Sequence, residues 1–383
     1  MMRRMFRCCG TCLLLLSACT GVSADPSAAN ATRIPARELS ESESAHVAEL
    51  VADSMRAVVL RHFDAAETTA GEVLAIDPRN GRAHAVLGLC RQQHALLVDP
   101  PDLFASNGGE TELVLARQLA PRDTFVAWAN ALFLAESGHL SAAADAAEQA
   151  LAIAERAPAA ERADILRLAG TYRYELGEER AALPHLQAYV ALRPDDAAAH
   201  YRLGSSLLRV AAVPRAVPQA LEPNERLAAQ RSAESAAKAF ARSAELAPGD
   251  EAAALAEAAA WWRAAELAGE RRDDDAKRTD TETARARLRT LAERFPNSAE
   301  PWFQLGLIAE ACKQDDEARA AYGAGLARVP HHPATLLNLG ALLDRRGERD
   351  GATTLLRTAL QVDAIEPFLT ARERKRVRDR VGS

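Results

Sequence analysis

The 383-residue sequence predicts an all-α chain assembled from a repeated pair of helices, and three observations predict it. Alanine occupies 85 positions and 26% of residues are charged, so strong helix formers dominate the chain. Aromatic residues are sparse (4 Trp, 5 Tyr, 9 Phe), too few, beside thin β-branched content, for a sandwich or barrel. Finally, Leu305-Gly306 recurs 34 residues later as Leu339-Gly340. Repetition on that scale replaces the two or three globular domains that length alone would allow.

Residues 1–18 read as a secretory signal. Arg3, Arg4 and Arg7 precede the apolar run Leu13 to Leu16, then Ser17 and Ala18. The run is shorter than the roughly 20 apolar residues a membrane span needs. Leu16-Ser17-Ala18-Cys19 closely resembles the bacterial lipobox. That resemblance implies that Cys19 is acylated and begins the mature chain; the plainer alternative is an ordinary signal with an incidental cysteine. Thr20, where many inner-membrane lipoproteins carry aspartate, favours the outer membrane, facing the periplasm. Four of the six cysteines (Cys8, Cys9, Cys12, Cys19) lie in this region, and Cys90 and Cys312 read as buried thiols. Without the signal the chain loses three arginines and becomes more acidic than its full-length net charge of −6, a poor match for nucleic acid. Residues 19–39 hold Ser, Ala, Asn and Pro without apolar period and read as a flexible tether with a reach of about 25 Å.

Ser40 followed by Glu43 predicts a capping box that opens the first helix. Beyond it the period is clearest in Ala299-Glu300-Pro301-Trp302-Phe303-Gln304-Leu305-Gly306 and Pro333-Ala334-Thr335-Leu336-Leu337-Asn338-Leu339-Gly340. These continue into Ala318, Tyr322 and Leu326, or Ala352, Leu356 and Leu360. The pattern resembles the tetratricopeptide repeat (TPR), a helix-turn-helix unit of about 34 residues with a W-x-x-L-G signature and a closing proline. Pro78, Pro121, Pro194, Pro248, Pro296 and Pro330 fit the closing place, and Gly138, Gly177, Gly269 and Gly347 the turns inside the units.

Threading the chain on this ruler predicts units at 47–80, 81–123, 124–162, 163–196, 197–254, 255–298, 299–332 and 333–366, so that 40–366 forms one array. A basic capping helix and tail follow at 367–383, opened by a Thr370 to Glu373 capping box. The second unit carries extra residues at Leu96 to Gly108 and the fifth at Val210 to Gln230. In the sixth, Trp261-Trp262 stands in place of Leu-Gly and Asp273-Asp274-Asp275 lengthens the turn. The resemblance implies a right-handed α-solenoid of about eight repeats, its concave groove lined by the first helix of each unit.

In that register the groove column reads Val51, Ala85, Trp128, Arg167, Tyr201, Ala259, Phe303 and Leu337. The same face adds Arg82, Thr171, Tyr174, Arg202, Ser205, Arg209 and Arg263. Aromatic and guanidinium groups of this kind anchor binding hot spots. A register one place off makes Trp128 and Tyr201 core residues instead. The lysine and asparagine clamp of the family's co-chaperone branch is missing.

Catalysis finds no motif. The nine histidines show no metal spacing, His331-His332 falls in a loop between units, and neither a phosphate loop nor a dinucleotide fingerprint occurs. No cofactor, metal or nucleic acid is therefore expected. The expectation is a lipid-anchored periplasmic scaffold, not an enzyme, that binds a peptide or helix of envelope proteins. The resemblance extends to adaptors of cell-wall enzymes and to assembly factors for pili or secretion pores. The alternatives are an enzyme or enzyme subunit with a site formed by 210–230, and a self-associating structural lipoprotein.

Overall fold

The computed structural model describes residues 34–97, 103–212 and 222–382, without the side chains of 103–107 and Pro223. The expected signal, Cys19, most of the tether, and residues 213–221 of the fifth-unit insertion lie outside the described residues. All regular elements among the described residues are helical. The described residues fall into two compact units, divided between Ile165 and Leu166.

The first unit holds α1 (Glu41–Val59), α2 (Phe63–Ile76), α3 (Gly81–Leu97), α4 (Leu103–Leu119), α5 (Thr124–Glu136) and α6 (Leu140–Ile153). A 3-10 turn, Ala154–Arg156, leads into α7 (Ala159–Glu175), which continues into the second unit. There follow α8 (Glu179–Leu192), α9 (Ala197–Ala211), α10 (Pro223–Leu246), α11 (Glu251–Glu270) and α12 (Asp274–Arg294). The second unit ends with α13 (Glu300–Ala311), α14 (Asp315–Arg328), α15 (Pro333–Arg345), α16 (Arg349–Ile365) and α17 (Ala371–Gly382).

Helix limits follow local chemistry. Ser40 and Glu43 form the full capping box of α1. Asp123, Asp196 and Asp250 cap α5, α9 and α11 by accepting amides of their first turns. Pro78, Pro121, Pro194, Pro248, Pro296 and Pro330 each stand two residues beyond the end of a second helix. The residue before a proline is driven out of the helical region, so none of these helices continues.

Within each hairpin a small residue lets the two helices cross closely. A Cβ placed on Gly170, Gly204 or Gly340 would come within 2.9 Å of Leu186, Phe240 or Leu356 respectively. Ser54, Ala131 and Ala258 are small and buried at the corresponding position of other hairpins, as are Ala66, Ala143 and Ala284 of their second helices. Phe240 and Tyr322 are almost wholly buried against such crossings, each contributing about 2–3 kcal/mol through burial.

Four expectations are corrected by the helices of the second unit. In the sixth hairpin Ala258, Ala284 and Leu288 share one core cluster, the roles that Gly306, Ala318 and Tyr322 play in the seventh. Both helices of that pair are about two turns longer than usual, 20 and 21 residues against 12 and 14. The unit therefore starts near Glu251, and Trp261 and Trp262 flank the core instead of replacing Leu-Gly. Gly269 lies inside α11, and the left-handed turn position belongs to Arg272 (φ 59°); Arg61 and Lys313 (both φ 60°) do the same in two other turns. The acidic run lengthens no turn: Asp273 caps α12 through the Ala276 amide, and Asp274 and Asp275 occupy its first turn, where the helix dipole favours acids. In the fifth unit, residues 223–230 are the opening turns of α10 rather than loop.

The last helix docks as a staple. Asp363, 3% exposed, accepts the amides of Phe368 (2.9 Å) and Leu369 (2.8 Å) and the Arg374 guanidinium. Arg380 reaches Asp344 on α15. The Arg374 bond, then the two amides, hold the Asp363 carboxyl far below the usual range despite burial.

Candidate functional site

The first helices of the first unit form a groove of about 630 Å³. On α1, Val47, Val51, Met55 and Val59 recur every four residues and so line one face with apolar side chains. Facing residues come from α5, where Phe125 and Trp128 are three apart and their rings lie 5.3 Å centre to centre. Glu161, Asp164 and Ile165 of α7 complete the wall, with Asn80 and Arg82 at the entry to α3.

Trp128 lines this groove and is 9% exposed. Arg82 also lines the groove, but its Nε donates to Asp123 Oδ2 at 2.7 Å, so it ties α3 to the cap of α5. Ala85 is fully buried.

In the second unit the predicted residues separate. Tyr174 and Tyr201 pack on the core around Leu203 and Phe240, and the Tyr201 ring meets Phe240 edge-on at 5.3 Å. Burial, then the neighbouring Tyr174 and Asp250, raises the Tyr201 phenol, and a hydrogen bond with Ser205 opposes them. Arg167 lies near Tyr189, whose hydroxyl donates to Asp196 at 2.8 Å, and Arg202 acts on that same carboxylate. Thr171 is half-buried on α7. Two predicted cations are already paired: Arg209 with Glu179 at 2.6 Å and Arg263 with Glu266 at 3.0 Å. Phe303 is packing material, set against Tyr322 and His332.

The sequence reading misses Phe125, the α1 stripe and the acidic pair Glu161 and Asp164. Phe125 carries a usable signal, lying one helical turn before Trp128 on the same face. It also misses a buried polar cluster. His84, 7% exposed, places Nδ1 2.6 Å from Glu112 Oε2 and Nε2 3.0 Å from the Pro78 carbonyl, and Arg91 donates to Glu112 Oε1 at 2.6 Å. Both ring nitrogens face acceptors, so the imidazolium satisfies them. Burial opposes that charge, but the Glu112 and Pro78 bonds and the carboxylate's charge outweigh it and raise the His84 pKa. His332 is no idle loop residue: it caps α15 by accepting the Thr335 amide and lies 3.4 Å from Glu300. Burial pushes the Cys90 thiol up to about 12, which leaves it inert. Among the described residues no group of three or more His, Cys, Asp or Glu is placed to hold a metal, and no helix is long and apolar enough to cross a membrane.

No family model and no curated protein matches the chain. Solved structures similar to it include TPR proteins. A thermophilic TPR protein of Thermus thermophilus is 20% identical over 57% of this chain and 97% of its own, with a TM-score of 0.39. PilF of Pseudomonas aeruginosa is 15% identical over 68% of this chain and 97% of its own, TM-score 0.41. MamA from Desulfovibrio magneticus is 14% identical over 54% and 97%, TM-score 0.38. Likeness this loose bears on neither ligand nor activity.

Proposed function

We propose that this chain is a non-enzymatic TPR scaffold of the bacterial envelope, held to the outer membrane by a lipid on Cys19 and facing the periplasm. Its groove captures a peptide or helix of an envelope protein, as an adaptor of cell-wall enzymes or an assembly factor for pili or secretion pores. The observation that carries the binding role is the apolar groove itself. Four aliphatic or thioether side chains of α1 and two aromatic rings of α5 line an open cleft, the kind of exposed apolar concavity that marks a binding surface. The anchoring role rests on Leu16-Ser17-Ala18-Cys19.

Photo-crosslinking tests the groove. A crosslinking residue at Met55, inside the cleft, should trap an envelope protein, whereas one at Glu72, exposed on α2, should not. Equal yields at both positions refute the groove. Cys19→Ala should release the chain from membranes, and persistence in the membrane fraction refutes the anchor.

A further inference from the structure

Asp280, on α12, is an acid buried without a counter-charge. It is 7% exposed, and its Oδ2 is buried with no hydrogen-bond partner. The charges that act on it are Glu234 of α10 and Asp273 of its own helix, both acids. The cations around this part of the second unit are engaged elsewhere. Arg271, between α11 and α12, donates to Gln230 and lies 3.9 Å from Asp273, and the Lys277 side chain lies against Gly269. On α11 Arg263 pairs with Glu266, and on α13 Glu310 is held by Tyr322 and Arg345. An unpaired carboxylate is costly to bury, so the neutral acid is the form that suits this site. A partner's side chain cannot reach a sealed oxygen, whereas a proton needs only a brief local opening.

Asp280 stands beside a junction. The first turns of α10 are tied to the end of α11 through Arg226, which donates to the Glu270 carbonyl at 3.0 Å, and through the bond from Arg271 to Gln230. Gln230 in turn donates to Glu234 at 2.9 Å, which sets that carboxylate in the same network. The helical spacing puts Glu225, Ala228 and Ala229 on the other side of these turns. There they wall a cleft of about 720 Å³, together with Arg209 and residues 177–181.

We infer that Asp280 makes the seating of α10's first turns depend on pH. With its proton the junction is closed; as an ion, Asp280 repels Glu234 and Asp273 and loosens both the junction and the cleft wall behind it. Burial, then Glu234 and Asp273, raises the Asp280 carboxyl from its usual 3.8 to about 6. A carboxyl raised in this way stabilises the closed form most below its ordinary value, and that contribution is lost as pH rises through about 6. Opening should therefore be favoured about tenfold more at about pH 7.5 than at about pH 5.

Hydrogen exchange of the full chain, followed by mass spectrometry over this pH range and corrected for intrinsic rates, tests the inference. Protection of residues 223–234 and 268–280 should fall about tenfold between about pH 5 and about pH 7.5, while α15 and α16 keep theirs. Asp280→Asn, of nearly the same shape without the charge, should abolish the fall. Glu234→Gln, whose amide oxygen still accepts from Gln230, removes one repelling acid and should move the fall to lower pH. Protection that does not change with pH in the wild type overturns the inference, and so does an equal fall in Asp280→Asn. If Asp280→Asn does not fold, Glu234→Gln decides, and an unmoved midpoint overturns the inference.

Discussion

Gly306→Ala probes the helix crossing on which every hairpin here depends. A Cβ at that position runs into the ring of Tyr322, which is fully buried and donates to Glu310 Oε2 at 2.9 Å. The ring has nowhere to go without overpacking the core, a cost of about 1–3 kcal/mol. Its displacement also strains the bond to Glu310, worth about 1 kcal/mol. Alanine's better helix propensity returns about 1 kcal/mol, so a net loss of about 2 kcal/mol is expected. Gly323, in the partner helix α14, is the internal control: nothing lies within 4 Å of a Cβ there. Gly323→Ala should gain up to about 1 kcal/mol. Urea unfolding of the two variants, with matching slopes, should separate them by about 3 kcal/mol. Adding Tyr322→Leu to Gly306→Ala should cost less than the sum of the single changes, because the shorter side chain relieves the same clash. If Gly306→Ala proves as stable as Gly323→Ala, the close crossing is not what the glycine is for.

Turn strain makes a paired prediction: Gly347→Ala (φ 81°) should lose about 1–2 kcal/mol, while Lys313→Gly (φ 60°) should gain up to about 1 kcal/mol, both read from thermal melts. His84 makes one about pH. Its folded pKa is raised, so its contribution is fully present below the unfolded value of about 6.5 and fades as pH rises through the folded value. Glu112 is lowered, mainly by the His84 bond against the opposing effect of burial, so its share fades on acidification. The stability gap between the wild type and His84→Gln should therefore be widest between the ordinary values of Glu112, about 4.5, and His84, about 6.5, and narrow as pH rises through the raised His84 value; a gap independent of pH refutes the ion pair. Asp363→Ala should cost about 2–4 kcal/mol and free α17, read as faster tryptic cleavage at Arg372 and Lys375 while the remaining helices keep their hydrogen-exchange protection. Cleavage unchanged from wild type refutes the staple.

Legibility in the sequence tracked how local each interaction is. The prolines two residues past α2, α4 and α8 act through the backbone of their own neighbours, and the capping boxes at Ser40 and Thr370 span one turn. The crossing partners stand 16 residues apart at Gly170 and Leu186, Gly306 and Tyr322, and Gly340 and Leu356, and the same kind of pair forms across 36 residues in the fifth hairpin, where Gly204 still meets Phe240. Pair six escaped because alanine at Ala258 is indistinguishable by eye from the alanines around it, whereas Trp261-Trp262 is conspicuous. The left-handed Arg61, Arg272 and Lys313 escaped because non-glycine residues bear that conformation only when the hairpin on both sides imposes it.

By itself the sequence determined the helical hairpin, its period, its ends and the small residues at its crossing, since each is set by neighbours within a turn or by a repeating column. Only the tertiary structure decided which cations are free, that Arg82, Arg209 and Arg263 are spent on Asp123, Glu179 and Glu266, and that Tyr201 belongs to a core. The same holds for the cluster of His84 with Glu112, 28 positions apart, and for the meeting of α1 with Phe125, Trp128 and Asp164 around one cleft. Arg82 with Asp123 and Arg209 with Glu179 join separate hairpins, His84 with Glu112 joins the two helices of one hairpin, and Arg263 with Glu266 lies within α11; whether a side chain is available depends on which of its neighbours the packing brings to it.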